Sequence, residues 1–176
     1  MKTVARKAAT AAKGKVTVPA PQEQAGGSIF IPNGNEEFHK IYKFAPQERI
    51  DAIRRGVSAE EVLILSSKMA IPKEWLIETL RLPRATLSRK DRVSKPLSKD
   101  ESERVLGVQA LIGQVEEMVR ESGNPVHFDA AKWVSGWLNS PMPALGGKNP
   151  ASYMDTIEGQ KLVSNLLAMA QSGAYA

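Results

Sequence analysis

Three observations predict an all-α fold. From Glu36 onward, apolar residues recur at three- and four-residue spacings, the repeat of a helix with one buried face. Three Ser/Asp-x-x-Glu pairs stand where such runs begin: Ser58 with Glu61, Ser98 with Glu101, and Asp155 with Glu158. No alternating run of convincing strand length occurs. Ile29 to Ile31, ahead of the turn signal Asn33-Gly34, reads equally as a short strand or a docking segment.

Residues 1–35 form a basic tail whose first 28 positions hold almost nothing to bury, so the tail is expected to be disordered. Glu36 to Phe44 places Phe38, Ile41 and Tyr42 on one side of a helix. Pro46 opens the next, with Ile50 and Ile53 facing inward and Gly56 closing it. Ser58 caps a helix to about Met69 that carries Val62, Leu63 and Leu65, with Val57 and Val62 placed as a hydrophobic staple. Pro72 opens a helix bearing Trp75, Leu76, Thr79 and Leu80. The connection Arg81-Leu82-Pro83 leads to a short helix from about Arg84 to Arg92. Ser98 starts the longest helix, to about Glu121. Its stripe Val105, Val108, Ile112, Val115 and Val119, widened by Leu106, Leu111 and Met118, predicts burial on more than one side. Asp129 caps a helix with Trp133, Val134, Trp137 and Leu138. Pro150, with Asn149 as its cap, opens another helical turn. The last helix presents Ile157, Leu162, Val163, Leu166 and Leu167.

Composition removes several functions. The chain has no Cys, which excludes disulfides, thiolate nucleophiles and Cys-based zinc sites. Two isolated imidazoles, His39 and His127, make neither a metal cluster nor a Ser-His-Asp arrangement. Gly146-Gly147-Lys148 lacks the rest of a phosphate loop, with Met142 and Asn149 where Gly and Ser/Thr are needed. No apolar run approaches a membrane span, and the basic N-terminus lacks the apolar centre of a secretory signal. A cytoplasmic protein that is not an enzyme and holds no cofactor or metal is expected.

The net charge of +5 is concentrated in two places. Residues 1–20 hold five basic and no acidic side chains, and residues 81–96 hold six basic and one acidic. The second block falls on Ile71 to Arg92, two short helices joined by a tight turn, which is the frame of a helix-turn-helix. Arg84, Thr86, Ser88, Arg89, Lys90 and Arg92 would face outward on or just beyond its second helix, a mixture suited to guanine edges and phosphates. The competing reading is a solvated basic linker. One helix-turn-helix usually needs a twin to read a palindromic site, so a homodimer is expected.

Trp137 to Gly159 is an aromatic helix end, a Pro/Gly-punctuated loop and a second helix start, with few charges. Pro141 and Pro143 stiffen the loop and Gly146 and Gly147 admit unusual backbone angles, so the segment suits contact rather than chemistry. Its pattern is Trp137-Leu138, Asn139, Pro143-Ala144-Leu145-Gly146-Gly147, Pro150, and Asp155-Thr156 with Gly159, ending at Gly173-Ala174-Tyr175-Ala176. This resembles the C-terminal toxin-binding domain of Xre/ParS/MbcA-type antitoxins, and Ala85-Thr86-Leu87-Ser88-Arg89 resembles their second helix-turn-helix helix. The family turn carries Gly where this chain has Arg81; a positive φ there would cost about 1 kcal/mol.

The resemblance implies a helix-turn-helix DNA-binding and dimerisation domain over residues 36–122 and a toxin-binding domain over 123–176. It implies a RES-domain toxin partner that consumes NAD⁺, inhibited by occlusion of its cleft, together with operator DNA and a larger toxin–antitoxin assembly. Trp137, Asn139, Leu145, Tyr153 and Tyr175 are the expected toxin contacts, while Pro150, Asp155 and Gly159 read as helix-start and close-packing residues. Cutting the chain after Gly147 is expected to abolish neutralisation and spare DNA binding. The alternative is a stand-alone helix-turn-helix regulator with no toxin partner.

Overall fold

The computed structural model describes residues 37–84, 96–123 and 128–171; the basic tail lies outside them, as do residues 85–95. Among the described residues the fold is all-α, with no strand and one isolated bridge between Ser58 and Pro96. The α-helices are α1 (Glu37–Tyr42), α2 (Pro46–Arg55), α3 (Ala59–Lys68), α4 (Lys73–Thr79), α5 (Lys99–Glu121), α6 (Ala130–Leu138) and α7 (Ile157–Gln171). Two 3-10 turns, Pro143–Leu145 and Pro150–Tyr153, lie between α6 and α7.

Helix α5 is the axis. Eight consecutive residues, Val108 to Val115, are buried, so this helix is enclosed on all sides, as its wide stripe predicts. Helices α1, α2, α6 and α7 pack on it. Its start is the full capping box: Ser98 Oγ accepts from Glu101 N at 3.3 Å, and Glu101 Oε2 accepts from Ser98 N at 2.8 Å. Gly113 lets α1 approach, since a methyl there would stand 2.0 Å from the Phe38 carbonyl oxygen. Polar ties also cross the core. Ser102 Oγ accepts from Val57 N at 2.9 Å, and Gln114 donates to the Ser164 carbonyl at 3.1 Å while accepting from Ser164 Oγ at 2.7 Å. One hydrophobic cluster runs from Phe38 to Leu167 through α5.

Several local expectations are corrected. Ile50 is 41% exposed; Ala52 is the buried position of α2, with Ile53 half-buried beside it. Tyr42 and Leu162 also reach solvent, and Leu63 is only half-buried. The Ser58 cap is found as expected: Ser58 Oγ accepts from Glu61 N at 3.2 Å, and one Glu61 carboxylate oxygen is buried without a partner. The third box is displaced by one residue. Thr156 Oγ1, in place of Asp155, accepts from Gly159 N at 3.1 Å and caps α7. Pro150 opens a 3-10 turn, and the Asn149 side chain caps nothing.

Both α3 and α4 end in a doubly bonded left-handed turn without glycine. Ile71 N bonds Ser66 O and Ala70 N bonds Ser67 O, each at 3.1 Å, with Ala70 at φ 53°. Leu82 N bonds Ile77 O at 2.9 Å and Arg81 N bonds Glu78 O at 3.2 Å, with Arg81 at φ 50°. Ala70→Gly removes the side-chain penalty at a small cost in chain entropy. A net gain of about 0.5–1 kcal/mol is expected, read as a Tm rise of roughly 2 °C.

Three carboxylates meet under α1. Glu37, Glu61 and Glu116 each leave one buried oxygen without a partner, and Lys68 Nζ reaches Glu37 Oε2 at 3.1 Å. Burial pushes the Glu61 carboxyl up to about 7, aided by the charge of Glu37, and burial pushes Glu116 to about 7 as well, against the pull of His39, Arg120 and Lys68. The folded chain therefore holds protons that the unfolded chain releases near 4.5. This contribution to stability is complete below that value and is lost as pH rises through 7. Glu61→Gln with Glu116→Gln should match the parent Tm at pH 4 and exceed it at pH 8; thermal melts at the two pH values decide.

Candidate functional site

Helix α6 presents two large aromatic side chains at the edge of the core. Asp129 starts it, its Oδ1 accepting from Lys132 N at 3.1 Å, as expected from sequence. Ala130, Ala131, Val134 and Leu138 turn toward the core. This places Trp133 and Trp137, one turn apart, along the border of the buried face. Trp137 packs partly on the core, whereas Trp133 is 40% exposed. Their rings stack, with centroids 6.1 Å apart and planes at 13°, and Phe128 tilts against Trp133 at 6.4 Å. Sequence alone did not separate the two tryptophans, and Trp133 was not among the expected contacts. The signal available was its position on α6, one residue off the Ala130–Val134–Leu138 stripe.

The loop after α6 is closed on itself. Met142 N bonds Lys148 O at 3.1 Å and Gly147 N returns to Met142 O at 2.9 Å. Between them Leu145 N bonds Met142 O at 3.0 Å and Gly146 N bonds Pro143 O at 2.9 Å. Gly146 and Gly147, at φ 64° and 81°, make this return possible. Pro141, Pro143, Ala144 and both glycines stay exposed, while Leu145 is buried beneath them at 9% exposure and anchors the loop. Asn139 is exposed, Tyr153 is half-buried against the core, and Tyr175 lies outside the described residues. Gly159 is a close-packing position, as expected: a methyl there would lie 1.9 Å from the Tyr153 carbonyl oxygen. The face is thus a stacked aromatic shelf beside a preorganised apolar loop. No metal-holding cluster and no helix able to cross a membrane occur among the described residues.

Known proteins match this chain over most of its length. The chain is 43% identical over 139 residues to the Prs ADP-ribosylating antitoxin of Sphingobium sp. (strain YBL2), covering 79% of this chain and 87% of that one. It belongs to the Xre/MbcA/ParS antitoxin family. Residues 48–109 match the antitoxin Xre-like helix-turn-helix domain, and residues 122–173 match the antitoxin Xre/MbcA/ParS C-terminal toxin-binding domain. A more distant relative, the antitoxin Xre of Yersinia enterocolitica, is 22% identical over 127 residues, 72% of this chain and 80% of that one.

In this antitoxin the helix-turn-helix match begins within α2 and ends inside α5, so α5 carries core for both matched segments. Leu76 and Leu82 are buried and Trp75 is half-buried, and the second helix of the expected pair lies outside the described residues. The turn keeps the left-handed geometry at Arg81, so the missing glycine leaves a strained residue in place rather than a reshaped turn. Arg104 of α5 steadies it, donating Nε to Leu80 O at 2.8 Å. Of the expected DNA-facing residues, Arg84 bonds Glu78. Thr86, Ser88, Arg89, Lys90 and Arg92 lie outside the described residues.

Proposed function

We propose that this antitoxin neutralises a RES-domain toxin by seating its C-terminal surface over the toxin's catalytic cleft. The carrying observation is the exposed Trp133–Trp137 stack beside the self-bonded loop. Large aromatics contribute most of the energy at protein interfaces, and a loop already closed loses little entropy on docking. Trp137, Asn139, Tyr153 and Tyr175 remain the proposed contacts, joined by Trp133, with Leu145 holding the loop's shape. Occlusion needs no reactive side chain, in keeping with a chain that has neither Cys nor a His cluster. The name of the Sphingobium relative ties it to ADP-ribosylation of Prs. ADP-ribosyl transfer draws on NAD⁺, so a toxin of that chemistry consumes NAD⁺.

The proposal extends to the basic block. A cytoplasmic homodimer would read a palindromic operator through residues 84–92 and repress its own operon, within a larger toxin–antitoxin complex. Mixing the antitoxin with its cognate toxin should suppress NAD⁺ loss. Normal toxin turnover with antitoxin in excess rejects the reading. In that event a stand-alone regulator remains, with binding to DNA that weakens steeply with salt.

A further inference from the structure

The toxin-binding surface is fastened to the helix-turn-helix at a specific bond. Trp75 Nε1, on α4, donates to Asn139 Oδ1 at 3.1 Å, across 64 residues of sequence. The other end of the same amide, Asn139 Nδ2, donates to the Ser135 carbonyl at 2.8 Å. An indole N–H only donates and a backbone carbonyl only accepts, so the amide has one orientation that satisfies both. Asn139 closes α6 and is the first residue of the rigid loop. Its position therefore sets the angle at which the loop leaves the shelf. On the far side of the loop, Arg81 Nε stands 3.9 Å from Asp155 Oδ2, and Gln160 Nε2 donates to Arg104 O at 3.0 Å and to Met154 O at 2.9 Å. Arg104 in turn holds the Leu80 carbonyl. The loop is thus gripped near both ends from the α4 turn and from α5.

We infer that Trp75, although outside the toxin-binding segment, is a positioning residue for toxin capture, acting through Asn139. The inference rests on the C-terminal surface being the toxin contact. Trp75 offers the toxin nothing directly in this role; it fixes the loop that does. A loop freed at one end must be ordered again on binding, and that cost appears in affinity in addition to the small loss of stability in the free chain.

The test is a double-mutant cycle on the full-length antitoxin with its purified cognate toxin, read as dissociation constant and as residual NAD⁺ consumption. Trp75→Phe keeps the ring in the core and deletes the N–H. It should weaken toxin binding about five- to tenfold, the scale of the cost of re-ordering one immobilised side chain at an interface, while the Tm of the free antitoxin falls by no more than roughly 2 °C. Asn139→Ala should weaken binding by at least as much, and the double variant should be no weaker than Asn139→Ala alone. Unchanged affinity in Trp75→Phe overturns the inference, as does full additivity of the two changes. Failure of the unmodified chain to bind the toxin would instead reject the functional proposal, and the inference with it.

Discussion

Gly159→Ala is expected to dislodge α7 and abolish toxin neutralisation. The added methyl would sit 1.9 Å from the Tyr153 carbonyl oxygen, 2.8 Å from its carbon and 2.9 Å from Thr156 Oγ1. The first two are backbone atoms of the 3-10 turn, which cannot rotate away as a side chain can. Relief requires α7 and the turn to part. That movement strains the Thr156 cap and the bond from Gln160 to Met154, and it draws Val163, Leu166 and Leu167 from the core. Overpacking of this kind costs about 3 kcal/mol, the upper part of the usual range, or a Tm loss of roughly 10 °C. Gly136→Ala is the matched control. Gly136 sits within α6 with open space where the methyl would go, so alanine should raise Tm by about 2 °C through helix propensity. Equal melting of the two variants would show that Gly159 is not the packing point described.

Helix starts were legible in the sequence because the chemistry that makes them is local. Ser98 with Glu101, Asp129, and the Pro46–Gly56 pair all act within a few residues, and each is found as read. The third cap was misplaced because Asp155 and Thr156 both have suitable oxygens; packing of Gly159 against Tyr153 selects Thr156. The direction of Ile50 was misjudged for a different reason. Periodicity shows that a helix has an apolar side, but the partner surface decides which residues reach it, and on α2 that surface meets Ala52. The same limit applies to the boundary after α5. A cut after Gly147 removes α7, which shares one core with the helix-turn-helix match through Val163 and Leu167 and bonds α5 through Gln160 and Ser164. Point substitutions would therefore separate toxin binding from the proposed DNA binding better than truncation would. At the site, the loop's punctuation was readable, but the closure of Met142 on Lys148 and the bond from Trp75 to Asn139 are tertiary and leave no mark in local spacing.

Trp133→Ala should weaken binding of the cognate toxin about 30-fold or more while leaving the antitoxin folded. An anchoring aromatic at an interface centre is worth about 2 kcal/mol or more on truncation, which converts to a factor of roughly 30. The cost to the free chain is small by comparison. Trp133 is 40% exposed, and its main intramolecular contact is the stack on Trp137, worth about 0.5–1.5 kcal/mol. Ile50→Ala provides the comparison that isolates location from exposure. Ile50 is apolar and exposed to the same degree but lies on α2, within the helix-turn-helix match. Its removal should change toxin affinity by less than about twofold. If both substitutions act alike, apolar exposure in general governs the association. If neither acts, the aromatic shelf is not the docking surface, and the loop and the C-terminal end must carry the toxin without it. Trp133→Phe adds a graded point, since a ring that still stacks on Trp137 should retain part of the affinity that alanine loses.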